Sequence, residues 1–198
     1  MTLARGLPAR LVAAGFAWAA LQMGCAQGPL SNPDDLCQVF AERPAWRDAA
    51  GATRERWGVP ESIQLAIVYQ ESRFRGDARP PRRRFLGFIP LSRPSSAYGF
   101  GQALDGTWRE YLRDTGRSRA RRSHFPDVAD FIGWYAERAQ QRAAVSPTDP
   151  YQLYLVYHEG LTGFRERRFE GKPWLLDVAR KVEERAASYG LQQRLCEA

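Results

Sequence analysis

The stretch from Val59 to Phe74, V-P-E-S-I-Q-L-A-I-V-Y-Q-E-S-R-F, constrains this chain more than any other. Gly58 interrupts what precedes it and Pro60 suits a first helical position, so the spacing predicts a helix. Ile63, Leu65, Ala66, Ile67 and Val68 leave that helix almost no polar face, which requires other helices to wrap it. It then runs out on Glu71, followed by Ser72, Arg73 and Phe74. Apolar surroundings disfavour the charged form of a carboxyl, and the negative end of a helix dipole pushes the same way. A carboxyl kept protonated near neutral pH is what a general acid needs. A plainer reading makes Glu71 structural, paired with Arg73 or Arg75, and this stretch alone leaves both open.

The rest of the pattern is helical. Asn32-Pro33 opens a helix to about Arg43, and Pro44 another to about Trp57. Asp105-Gly106-Thr107 starts a helix with Trp108, Tyr111 and Leu112 on one face. Pro126-Asp127 opens one through about Ala144, with Phe131, Ile132 and Tyr135 toward the core. Asp149-Pro150 opens the next, Tyr151 to Glu159, which Gly160 should stop. Gly163 to Pro173 reads as a loop, and Trp174 to Tyr189 as the last long helix, closed by Gly190. Strand signals are nearly absent, so the fold class is all-α. The exception to the helical pattern is Gly76 to Ser96, a long loop with an arginine run at Arg82, Arg83 and Arg84 and room for a short β-hairpin. Loops of this length inside compact domains are usually functional or mobile. This one has the basic and apolar mixture to touch a glycan, a peptide or a membrane surface, or else to be a solvated insertion.

Residues 1–24 read as a signal peptide: Arg5 and Arg10 form a basic start, and Leu11 to Leu21 is an apolar run too short to span a bilayer comfortably. L-Q-M-G-C-A, Leu21 to Ala26, resembles a bacterial lipoprotein cleavage site with Cys25 as the lipidated residue. Leu21 stands four before the cysteine where the usual pattern has it three before, and ordinary cleavage nearby is the alternative. If Cys25 carries lipid, Cys37 and Cys196 remain of the three cysteines as a pair, one near each end of the exported chain. In an oxidising compartment such a pair reads as a disulfide, with two separate buried thiols as the alternative. The remaining about 170 residues suit a single domain, 25–198. The formal charge of +7 falls to +5 without Arg5 and Arg10. In an exported protein such a surface suits cell-wall polymer or lipid headgroups, and no nucleic-acid motif is visible.

Three clusters carry the chemistry: Gln70-Glu71-Ser72-Arg73-Phe74, then Ser96-Ala97-Tyr98-Gly99-Phe100-Gly101-Gln102, then Leu155-Val156-Tyr157-His158-Glu159-Gly160. Each alone is weak. In this order, behind a signal peptide, they resemble the lytic transglycosylase family with the soluble-transglycosylase (SLT), lysozyme-like domain. That family has a Glu-Ser at the end of a buried helix, a Gly-Leu-Met-Gln loop, and an Ala-Tyr-Asn-Ala-Gly helix end. The resemblance covers roughly Val59 to Phe164. Gly101 departs from it, standing where the family has Met, as do His158-Glu159 in place of Asn-Ala and the longer segment Arg79 to Ser95.

The resemblance implies that Glu71 is the single catalytic acid/base. It implies that Ser72 steadies Glu71 or the adjacent sugar, that Gln102 binds glycan, and that Tyr157 hydrogen-bonds near the catalytic carboxyl. Tyr98 and Gly99 fall in the same substrate-binding loop, where Gly99 and Gly101 would let backbone approach a sugar closely. Periodicity alone makes Tyr157 an ordinary core aromatic. The implied substrate is peptidoglycan, cut between N-acetylmuramic acid and N-acetylglucosamine to leave a 1,6-anhydro end. The implied enzyme acts as a monomer, with no metal and no cofactor, anchored to a membrane through Cys25. Two other readings stand beside it. One is a lysozyme-like hydrolase (muramidase) with Glu159 or Asp105 activating water, and the other a non-catalytic peptidoglycan-binding lipoprotein.

Overall fold

The computed structural model describes residues 28–82, 84–85, 89–90, 92–93 and 95–196. The expected signal peptide 1–24 and Cys25 lie outside the described residues. The helices are α1 Leu36–Glu42, α2 Pro44–Trp57, α3 Glu61–Ser72, α4 Asp105–Thr115, α5 Phe125–Ala143, α6 Pro150–Arg165 and α7 Pro173–Cys196, with a 3₁₀ turn Arg168–Gly171 before α7. The fold is all-α, as the pattern predicts. The one sheet among the described residues is the two-stranded hairpin of the long loop, where Arg84–Phe85 pairs antiparallel with Ile89–Pro90.

Helix α3 is the centre. Every residue from Glu61 to Tyr69 is buried, because α2, α5 and α7 all pack against it. Its polar Gln64 is fully buried and donates to the carbonyls of Ala50 and Val59, which ties α3 to α2 and to its own entry. Pro60 lies just outside the helix rather than in its first position, with an extended ψ of 144°, and its carbonyl receives the first bonds from Ile63 and Gln64. At the other end the chain leaves α3 through two consecutive non-glycine residues in the left-handed region, Arg73 (φ 53°) and Phe74 (φ 60°). That conformation costs energy and persists only where the surroundings enforce it. Here the Arg73 guanidinium lies 4.2 Å from the Tyr69 ring centroid, and Phe74 is buried against Trp46 and Tyr69. The strained exit begins two residues after Glu71.

A polar hub fixes α2 and α4 on α5. Buried Asp130 accepts from Trp57 Nε1 (2.9 Å), the Tyr111 hydroxyl (2.8 Å) and Arg56 (3.2 Å). Aromatic rings fill the layers around it, Trp46 stacked on Phe125 on one side and Trp108, Tyr111, Phe131 and Trp134 on the other.

Besides the start of α3, three helix boundaries differ from those expected. Helix α1 starts at Leu36, since Asp35 caps it by accepting from the amide of Gln38 and the preceding residues turn instead. Gly160 breaks the geometry of α6 (φ 72°, ψ 162°), yet helix resumes beyond it to Arg165. Gly190 does not stop α7, which continues to Cys196. Its last turns are held from outside: the Gln192 side chain accepts from the amide of Leu36 and donates to the carbonyl of Asp34, and Cys37 is disulfide-bonded to Cys196. The segment before α1 is pinned as well. The Arg43 guanidinium donates to the carbonyl of Gly28 (2.6 Å), Leu30 packs on the core, and the Ser31 amide donates to Glu42. Among the described residues no helix is long and apolar enough to cross a membrane.

Candidate active site

Glu71 sits at the last turn of α3 on the wall of a cleft of about 440 Å³. The end of α3, the loop from Ala97 to Leu104, Thr107 of α4, Phe131 and Tyr135 of α5, and the kinked part of α6 line this cleft. Burial pushes the Glu71 carboxyl up to about 7, against the opposing pull of a hydrogen bond from the Tyr154 hydroxyl. Neither neighbouring arginine neutralises it, because Arg73 lies over Tyr69 and Arg75 pairs with Asp77 at 3.5 Å. The structural pairing that the sequence leaves open is therefore not the one formed. Tyr154 is the partner that sequence reasoning missed. It stands one helical turn before Tyr157, and that i, i+3 spacing on α6 was the available signal.

Tyr157 lines the same cleft, but its hydroxyl donates to the carbonyl of Gly101 (2.6 Å). A Cβ at Gly101 would fall 2.7 Å from that hydroxyl, so the small residue at this position makes room for the tyrosine. Gly99 has a protein neighbour too. Its φ of 80° excludes most side chains, and a Cβ there would fall 2.0 Å from the carbonyl oxygen of Arg122. The glycines thus draw the loop against α6 and the 117–124 turn. Tyr98 lies outside the cleft lining and sits beneath two guanidinium groups, Arg79 at 4.1 Å and Arg122 at 5.4 Å.

Gln102 does line the cleft, with a left-handed backbone (φ 46°). Its amide nitrogen donates to the carbonyls of Ala78 (3.0 Å) and Gly99 (2.8 Å), which fixes the orientation of the carboxamide and leaves its oxygen as the acceptor for a ligand. Ser72 is buried, and its hydroxyl donates to Val68 within α3, so it braces the helix end beneath Glu71.

Beyond Tyr157, His158 and Glu159 complete the cleft wall. The Glu159 carboxylate accepts from Lys172 Nζ (2.7 and 2.9 Å) and lies 3.1 Å from His158 Nδ1. Burial raises its pKa, but Lys172 and His158 outweigh that and hold it below the usual carboxylate range. The cleft thus holds two carboxyls with opposite biases: Glu71 buried and inclined to keep a proton, Glu159 clamped in its charged form. Asp105 is outside the lining and pairs with Arg122 at 2.8 Å. Among the described residues no group of three or more His, Cys, Asp or Glu could hold a metal ion.

No curated protein matches the chain. A family model does: that of the transglycosylase SLT domain, over residues 13–196. The match spans nearly the whole sequence and agrees with the all-α, lysozyme-like architecture. The chain belongs to the transglycosylase SLT domain family.

Proposed function

We propose that the protein is a peptidoglycan lytic transglycosylase in which Glu71 is the sole acid/base. The family supports action on peptidoglycan in the cell envelope. The observation that carries the finer reading is the state of Glu71, a buried carboxyl with a pKa near 7 and, among the described residues, no cationic partner, facing a cleft whose other carboxylate is clamped. Such a group can give up a proton and take one back near neutral pH. Glu71 protonates the glycosidic oxygen between N-acetylmuramic acid and N-acetylglucosamine. The bond from C1 of the muramic sugar to that oxygen breaks, and the carbonyl oxygen of the same sugar's N-acetyl group closes on C1. Glu71, now a carboxylate, removes the proton of the 6-hydroxyl, whose oxygen displaces the acetamido oxygen and closes the 1,6-anhydro ring. The proton given in the first step is recovered in the second, and no water is consumed. Substrate assistance of this kind dispenses with a second catalytic carboxylate. Gln102 offers its oxygen to a sugar, while Tyr157 and Ser72 hold the loop and the helix end around it. The hydrolase in which Glu159 or Asp105 activates water is disfavoured, because both carboxylates are committed to cations. The protein acts as a monomer on the periplasmic side of the bacterial envelope, anchored to a membrane through Cys25.

Glu71→Gln keeps the shape and the hydrogen bonding but cannot exchange a proton. Turnover of purified sacculi should fall by at least about a hundred- to ten-thousand-fold, the usual worth of general acid–base catalysis. The mutant should still sediment with sacculi, and fragments from the wild type should end in 1,6-anhydro-N-acetylmuramic acid. Ordinary reducing ends would make the protein a muramidase, and undiminished turnover by the mutant would remove Glu71 from the chemistry.

A further inference from the structure

Among the described residues the large apolar side chains left most exposed are Leu104, Trp174, Leu191 and Leu195. Leu191 and Leu195 sit on the last turns of α7, by the disulfide. Leu104 lines the cleft, and Trp174 meets its rim: the indole packs edge-to-face with His158, a residue of the cleft wall, at 5.2 Å and 78°. The contact fixes the indole while 55% of the residue remains open to solvent. Its backbone is steadied from both sides, because Lys172 is tied to Glu159 through its ammonium and accepts the amide of Leu175 through its carbonyl (2.8 Å). An indole that is oriented, uncovered and in contact with a residue of the cleft wall differs from a surface aromatic scattered at random.

We propose that Trp174 is a sugar-stacking platform that extends the binding cleft past Gly160 and takes a further ring of a bound glycan strand. The inference rests on the reading of the cleft as a glycan site. Sugars joined β-1,4 carry their substituents equatorially, so each ring presents a face of weakly positive C–H groups. An indole face is electron-rich and attracts such a surface, and stacking also removes both apolar faces from water. His158 sets the tilt of the platform, and the Lys172–Glu159 clamp sets its distance from the cleft floor.

The test measures binding of alternating N-acetylglucosamine–N-acetylmuramic acid oligomers, from disaccharide to octasaccharide, by calorimetry on the Glu71→Gln protein, where turnover does not interfere. Adding Trp174→Ala should weaken the longest oligomers by about three- to tenfold and leave the disaccharide unchanged, while Trp174→Phe should retain most of the affinity. A loss that is equal at all lengths, or absent at all lengths, overturns the platform and leaves the proposed chemistry standing. Failure of every oligomer to bind with Trp174 intact overturns the glycan reading and the platform together. Unchanged disaccharide binding in Trp174→Ala also shows that the substitution has not unfolded the cleft.

Discussion

A phenol that donates to a carboxylate favours its charged form, so Tyr154 draws the pKa of Glu71 down while burial drives it up. Removing the hydroxyl leaves burial unopposed. In Tyr154→Phe the pKa of Glu71 should therefore rise further above 7. The first step needs the protonated acid, whose population is lost as pH climbs through that pKa. The alkaline limb of the profile of kcat/KM against pH should thus move to higher pH, by about one to two units for a hydrogen bond to a charged group. A limb that stays in place, or moves to lower pH, would show that Tyr154 does not set the acidity. The burial of Glu71 at a helix end was legible in the sequence because it rests on neighbours only a few positions away, whereas its role as acid/base came only with the family resemblance. Tyr157 was legible as a cleft residue, but its bonding was not. Which of two tyrosines one turn apart reaches the carboxyl depends on where the tertiary fold sets α6 relative to the end of α3. The space left by Gly101, from a third element, then decides where the other hydroxyl goes.

Among the helices, α7 shows what local rules miss. Gly160 and Gly190 look alike as stop signals, since each lowers helix propensity. Gly160 does adopt a backbone open chiefly to glycine, whereas at Gly190 the helix runs on because α1 receives its end through Gln192 and the Cys37–Cys196 bridge. Starts were easier to place. Pro44 and the Asp149-Pro150 pair act within their own turn, and α2 and α6 begin where those residues put them. The disulfide closes nearly the full length of the described chain, and losing such a bridge typically costs about 2–5 kcal/mol in a small exported domain. The double variant Cys37→Ser/Cys196→Ser should melt at lower temperature, with faster amide exchange concentrated in α1 and the last turns of α7. The cleft is built from α3 to α6 and the 97–104 loop, so residual turnover at low temperature should be near that of the parent. Exchange unchanged in α1 would mean that the Gln192 bonds alone hold the two ends together.

For the protein in its cellular setting, the basic surface and the pinned first residues bear on the same question of placement. A net positive chain is drawn to the anionic groups of the cell wall and of lipid, so its binding to sacculi should weaken with salt. Attachment through Cys25 predicts that Cys25→Ser releases the protein from the membrane fraction with its turnover of isolated glycan intact. A variant that stays with the membrane would remove the anchor. The bonds from Arg43 to Gly28 and from Ser31 to Glu42, with Leu30 against the core, settle how far such an anchor could reach. Only three residue steps separate Cys25 from Gly28, a span of at most about 10 Å even when fully extended. The leash would be too short for the enzyme to search the thickness of the wall. It would work as a fixed blade at the bilayer face, trimming only the strands that growth or remodelling brings down to it.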